Sequence, residues 1–116
     1  MVGLLASRAA SVITVGSTNP LNEMSWFSNF GPCTTMFAPG ESVYSSYFRN
    51  DTSYATLSGT SMACSFVAGA AALYLSQNSL ASPLDVRQSL MDATGSNAVS
   101  ATNFETWKNN QAPQHQ

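Results

Sequence analysis

Ser61 is the residue in this chain best placed to do chemistry. It stands in Gly59-Thr60-Ser61, ahead of a run that is small or apolar and uncharged as far as Gln77. A helix starting here would aim its unbonded first N–H groups, and the positive end of its dipole, at the Ser61 hydroxyl. That setting stabilises an anion forming beside a serine. The same three residues also suit an ordinary helix start, because Ser and Thr are favoured caps. Cys33 and Cys64 make no C-x-x-C or His/Cys cluster, so zinc is not indicated and no metal site is expected. Both are expected to be free thiols, with Cys64 packed as a small apolar group.

The elements that must hold Ser61 can be read around it. Residues 57–77 (LSGTSMACSFVAGAAALYLSQ) are apolar on every side, which predicts a buried helix. Ser11 to Ser17 carries Val12, Ile13 and Val15 and closes on Gly16, as a buried, parallel strand would. Trp26, Phe27 and Phe30 among small polar residues indicate a compact loop. Met36-Phe37-Ala38 is a short strand stopped by Pro39-Gly40. Residues 42–47 and 54–57 read as two further strands around a polar tip, Arg49-Asn50-Asp51-Thr52. Asn50-Asp51-Thr52 is a glycosylation sequon, meaningful in a secreted chain. Ser82-Pro83-Leu84-Asp85 is a helix start with cap, proline and acidic residue in place. Leu84, Val86, Leu90 and Met91 give that helix a face, and Gly95 stops it. Phe104 and Trp107 anchor a last segment before a polar tail.

Composition narrows the function classes. Of 116 residues, 44% are hydrophobic and 9% charged, which excludes a disordered chain and suits interior sequence. Net charge is −2 and the four basic residues do not cluster, so neither a nucleic-acid nor an anionic-membrane partner is expected. The run from Phe66 to Leu75 is too short to span a bilayer. The first 17 residues lack a basic start, and Arg8 interrupts their apolar run, so they are expected to be interior sequence rather than a signal peptide.

Gly59-Thr60-Ser61-Met62-Ala63, followed by Val67-Ala68-Gly69, resembles the nucleophile motif of the subtilisin-like serine proteases, G-T-S-M-A-x-P-H-V-A-G. Val12-Ile13-Thr14-Val15-Gly16 resembles that family's core strand. Phe27-Ser28-Asn29-Phe30-Gly31 resembles its S-F-S-N-Y-G turn, and Phe37-Ala38-Pro39-Gly40 its A-P-G corner. The likeness runs over roughly residues 10–95 and is strongest to the proteinase K branch. It implies an α/β fold: the C-terminal part of a three-layer parallel-sheet domain, with a buried central helix headed by the nucleophile. Residues 1–108 would be a partial peptidase domain and residues 109–116 a disordered tail.

By the same resemblance Ser61 is the nucleophile, its N–H is the backbone half of the oxyanion hole, and Gly59, Thr60 and Met62 support it. The substrate would be a polypeptide, the compartment extracellular. The family's D-T-G and H-G-T-H motifs, which carry the acid and the base, occur nowhere in these residues. The chain alone is therefore expected to be inactive, and a substrate partner is expected only with an N-terminal half in place. Two departures stand out. Cys64-Ser65-Phe66 replaces the family's x-Pro-His, and Thr35 falls where the proteinase K branch has a calcium-binding aspartate. A calcium cofactor is accordingly expected to be lost, since a hard cation needs carboxylate oxygens.

Two other readings compete. One is a non-catalytic remnant that keeps the scaffold as a structural or binding module. The other is a self-contained hydrolase, since Ser61, then Asp85 or Asp92, then His115 repeats the chain order of the α/β-hydrolases. Their elbow needs Gly two residues after the serine, and Ala63 stands there. His115, the one histidine, lies in the tail and is expected to be idle.

Overall fold

The computed structural model describes residues 11–31 and 33–94. Its elements run β1 (Val15–Thr18), β2 (Met36–Pro39), β3 (Val43–Ser46), β4 (Tyr54–Leu57), α1 (Thr60–Gln77) and α2 (Pro83–Ala93). Strands β1 and β2 pair in parallel, Val15 opposite Met36 through Thr18 opposite Pro39. Strands β3 and β4 form an antiparallel hairpin, Val43 opposite Leu57. Parallel strands cannot be joined by a tight turn. The connection from β1 to β2 is the loop containing Trp26 and Phe30, and α1 lies against both strands. This is the α/β arrangement expected. Among the described residues its parallel sheet has two strands.

The core is small. Val15, Ala63 and Val67 are buried together, with Ile13, Met36, Ala38 and Leu90 packed around them. Ala63 and Val67 are one helical turn apart, so both face the sheet, and a residue as small as Ala63 lets the helix approach β1 closely. Much of the rest of α1 is bare: Phe66 is 52% exposed and Leu73 73%. The expected burial of the whole helix is thus met on one face only. The apolar composition on its other faces has no counterpart among the described residues. Cys64 corrects the expectation made for it, because one residue beyond Ala63 it has turned off the sheet-facing side and is exposed. Both cysteines are free thiols.

The loop after β1 is organised by hydroxyls rather than by its aromatics. Ser17, Ser25 and Ser28 are all buried. Ser17 Oγ lies 2.9 Å from Ser25 Oγ, and the Ser17 N–H donates to Ser28 Oγ at 2.8 Å. Ser28 Oγ in turn donates to the Asn29 carbonyl at 2.8 Å. Buried hydroxyls must be paired, and here they pair with one another and with backbone. Trp26, expected inside the loop, is instead 90% exposed and meets Phe27 edge-on.

Strand β1 also begins later than its β-branched residues predict. Its ladder to β2 opens at Val15, and the residue before it is held by a side chain. The Thr14 N–H donates to Thr35 Oγ1 at 3.1 Å, while the Thr35 N–H returns to the Thr14 carbonyl at 2.8 Å.

Helix α2 follows its sequence signals closely. Ser82 Oγ accepts from the Asp85 N–H at 3.1 Å, and Asp85 Oδ2 accepts from the Ser82 N–H at 3.0 Å. This reciprocal cap satisfies two otherwise orphaned donors. Val86 is buried, whereas Leu84, expected on the same face, is 57% exposed. The expected stop at Gly95, the anchors Phe104 and Trp107, the tail and its boundary after residue 108 lie outside the described residues.

Candidate active site

The four residues singled out around the serine arrive together at the head of α1. Gly59 is the residue preceding the helix, Thr60 opens it, and Ser61 and Met62 complete the first turn. Ser61 is exposed, while Gly59, Thr60 and Met62 are half-buried. No side chain caps this helix, and its first turn holds no acidic residue. The ordinary capping role open to Thr60 and Ser61 is therefore not the one they take. The Gly59 N–H is bound to the Gly40 carbonyl at 2.7 Å, and the Met62 N–H folds back to the Gly59 carbonyl at 3.1 Å. Between them the N–H groups of Thr60 and Ser61 stand at the positive end of an 18-residue helix. An anion forming beside the Ser61 hydroxyl would meet donors rather than a carboxylate.

Two staples hold that turn, and neither was named among the candidate residues. Ser58 Oγ accepts from the Ser42 N–H at 2.8 Å, tying the end of β4 to the start of β3. Gly40 binds Gly59 through its carbonyl, and its own N–H reaches the Thr18 carbonyl at 3.1 Å. A Cβ on Gly40 would overlap the Ser17 hydroxyl and come within 2.7 Å of the Gly59 carbonyl. The signal for the second staple was in the sequence as Phe37-Ala38-Pro39-Gly40; its glycine is the point of closest backbone approach. Ser42 adopts a left-handed conformation, φ 57°, which a non-glycine residue rarely takes. It lies in the bend where the chain leaves Gly40 for β3.

An apolar groove of about 760 Å³ runs away from the serine between the hairpin and α1. Val43 and Leu57 form one wall, and Met62, Phe66, Ala70 and Leu73 the other. Tyr44 and Tyr54, diagonal across the hairpin, stack with ring centroids 5.3 Å apart.

Other candidates for acid–base work are committed elsewhere. The Asp85 carboxylate is held below its ordinary range by the hydrogen bonds from the Ser82 backbone and side chain, and Asp92 Oδ1 accepts from Gln88 Nε2 at 2.7 Å. His115 lies outside the described residues. Among the described residues no three His, Cys, Asp or Glu side chains group as a metal site would require, and no helix is long and apolar enough to cross a membrane.

A parallel strand pair with a helix packed on it is an α/β arrangement, and Ser61 stands exposed at the head of that helix. Comparison with known proteins gives the family. The model of the peptidase S8 or subtilase family matches residues 5–113. The alkaline serine exoprotease A of Vibrio alginolyticus is 44% identical over 96 residues, covering 83% of this chain and 18% of that protein. The extracellular serine proteinase of Thermus sp. (strain Rt41A) is 42% identical over 93 residues, covering 80% of this chain and 23% of that one. In structure, a cold-adapted subtilisin-like serine proteinase superposes with a TM-score of 0.77 at 45% identity, over 83% of this chain and 34% of its own. The chain belongs to the subtilase family. It spans about a fifth of the length of these two curated relatives.

Proposed function

We propose that this chain is the nucleophile-bearing segment of a subtilisin-like serine endopeptidase, with Ser61 attacking the scissile carbonyl of a polypeptide. The observation that carries this reading is Ser61 itself: exposed, second in a helix whose head has no cap and no acidic residue, in a chain of this family. As Ser61 Oγ adds to the carbonyl carbon, the carbonyl oxygen gains a negative charge. The Ser61 N–H serves as one donor to it, and the helix dipole favours it. Gly59 and Thr60 set the backbone of the turn, and Met62 closes its apolar side. The proton of the hydroxyl needs a base, and that base an orienting acid. Residues 1–116 hold neither family motif for these, so the segment hydrolyses peptides only within a completed domain.

The bare flank of α1 and the groove beside it supply the surface on which such a domain closes. The match to only 34% of the solved proteinase at a TM-score of 0.77 supports this, because the remaining two-thirds of that fold must pack somewhere. An extracellular location is proposed on the Thermus relative, which is described as extracellular. Calcium at Thr35 is not part of the proposal. Thr35 Oγ1 is committed to the Thr14 N–H, and its neighbours Thr34 and Met36 offer no carboxylate.

The test is to isolate the native gene product with an antibody against the exposed hairpin and assay casein hydrolysis. The expected result is a protein larger than 116 residues whose activity is lost in Ser61→Ala. An active product unaffected by that change would overturn the assignment. A native product of this size with no activity would leave the non-catalytic scaffold as the better account.

A further inference from the structure

We propose that Asn50 is an acceptor for an N-linked glycan, carried at the tip of the β3–β4 hairpin. Asn50-Asp51-Thr52 is the one Asn-x-Ser/Thr triplet without a central proline in the 116 residues. The triplet lies entirely on the surface, with Asn50, Asp51 and Thr52 all exposed in the turn between the strands. A glycan needs such a projecting site, because it is bulky and must stay in water.

The hydrogen bonding of the folded turn accommodates a sugar on the side-chain amide nitrogen. The Asn50 N–H donates to Ser53 Oγ at 3.2 Å. Its carbonyl accepts from the Ser53 N–H at 3.3 Å and from Ser53 Oγ at 3.1 Å. Its side-chain oxygen accepts from the Thr52 N–H at 3.0 Å and from the Thr52 hydroxyl at 3.1 Å. The amide nitrogen Nδ2 is the polar atom of Asn50 outside this set. Linking a sugar to it therefore breaks none of these bonds, and Ser53 Oγ keeps the turn closed through the Tyr47 carbonyl at 2.8 Å. The glycan would also stand beside Phe48, which is 84% exposed, and screen an apolar surface the turn cannot bury.

In the transfer, Asn50 Nδ2 displaces the diphosphate from C1 of a lipid-diphosphate-linked oligosaccharide. The N–C1 bond forms and the C1–O bond breaks. The lipid diphosphate leaves with that electron pair, and a base of the transferase takes one amide proton.

This inference rests on the reading that the chain is secreted, and the experiment separates the two. The full chain, fused to a cleavable signal peptide, is translated with microsomes and treated with an endoglycosidase specific for N-glycans. One endoglycosidase-sensitive band shift is expected for the wild-type chain and for Thr52→Ser. It should be absent from Asn50→Gln and from Thr52→Ala. Because glycans are added during translocation, a variant's folding does not enter the readout. No shift in the wild-type chain, or a shift that survives Asn50→Gln, overturns the proposal. The fused signal supplies the route, so a native protein found inside the cell would refute the location while leaving this result standing.

Discussion

Gly59 hangs from Gly40: the N–H of the residue just before α1 donates to the Gly40 carbonyl at 2.7 Å. The glycine at position 40 is required by space, since an added Cβ would overlap the Ser17 hydroxyl and press on the Gly59 carbonyl. Gly40→Ala should therefore push the head of α1 off β1, at a cost of ~1–3 kcal/mol typical of overpacking. The measurement is amide hydrogen exchange at Gly59, expected to speed up roughly 5- to 150-fold for that loss. Exchange within α2 should be unchanged. Uniform acceleration across both helices would mean the contact is not local.

The cap of α2 gives a pH dependence with a definite sign. Hydrogen bonds from Ser82 lower the folded-state pKa of Asp85 relative to the unfolded chain. Their contribution is present above the ordinary carboxylate value of roughly 4 and is lost as pH falls through the lower folded value. Helicity of α2 should thus decline in acid below that range, and Asp85→Asn should flatten the decline. Ser82→Ala should cost ~1 kcal/mol at neutral pH. A far-ultraviolet circular dichroism titration of the three proteins checks both; an identical acid limb in Asp85→Asn would refute the assignment.

The uncovered flank of α1 predicts how the isolated chain behaves. Phe66 and Leu73 are more than half exposed on a helix without charged residues, and such a patch drives association. The 116-residue chain should self-associate and bind hydrophobic dyes, and Leu73→Glu with Phe66→Gln should shift it toward monomer in sedimentation velocity. A dye-silent monomer for the unaltered chain would contradict the idea that this flank awaits a covering segment.

Where sequence reading succeeded and failed has a physical pattern. The start of helix α2 was legible to the residue because Ser82, Pro83 and Asp85 act locally, through the cap and the fixed proline backbone. The hairpin was legible because β-branched and aromatic residues flank a polar tip. Burial was less legible. The all-round apolar composition of α1 reports the domain it suits, while the exposure of Cys64, Phe66 and Leu73 reports the third of that fold present here. Trp26 misled for the opposite reason, since loop order came from three serines whose pairing depends on contacts eight and eleven residues apart. For the site, type and spacing placed Ser61 at the helix head. The staples through Gly40 and Ser58 emerge only in the fold, because both join residues far apart in the chain, one through backbone and one through the Ser58 hydroxyl.

The most direct test of the account is labelling with a fluorophosphonate, which reacts with an activated serine, followed by peptide mapping. The account predicts that the 116-residue chain alone stays unlabelled for want of a base. It predicts that the intact native protein is labelled on Ser61, and that Ser61→Ala removes both the label and the proposed activity, by roughly 10⁶-fold in rate. Label on any other serine of the intact protein, or on Ser61 in the isolated chain, would contradict it.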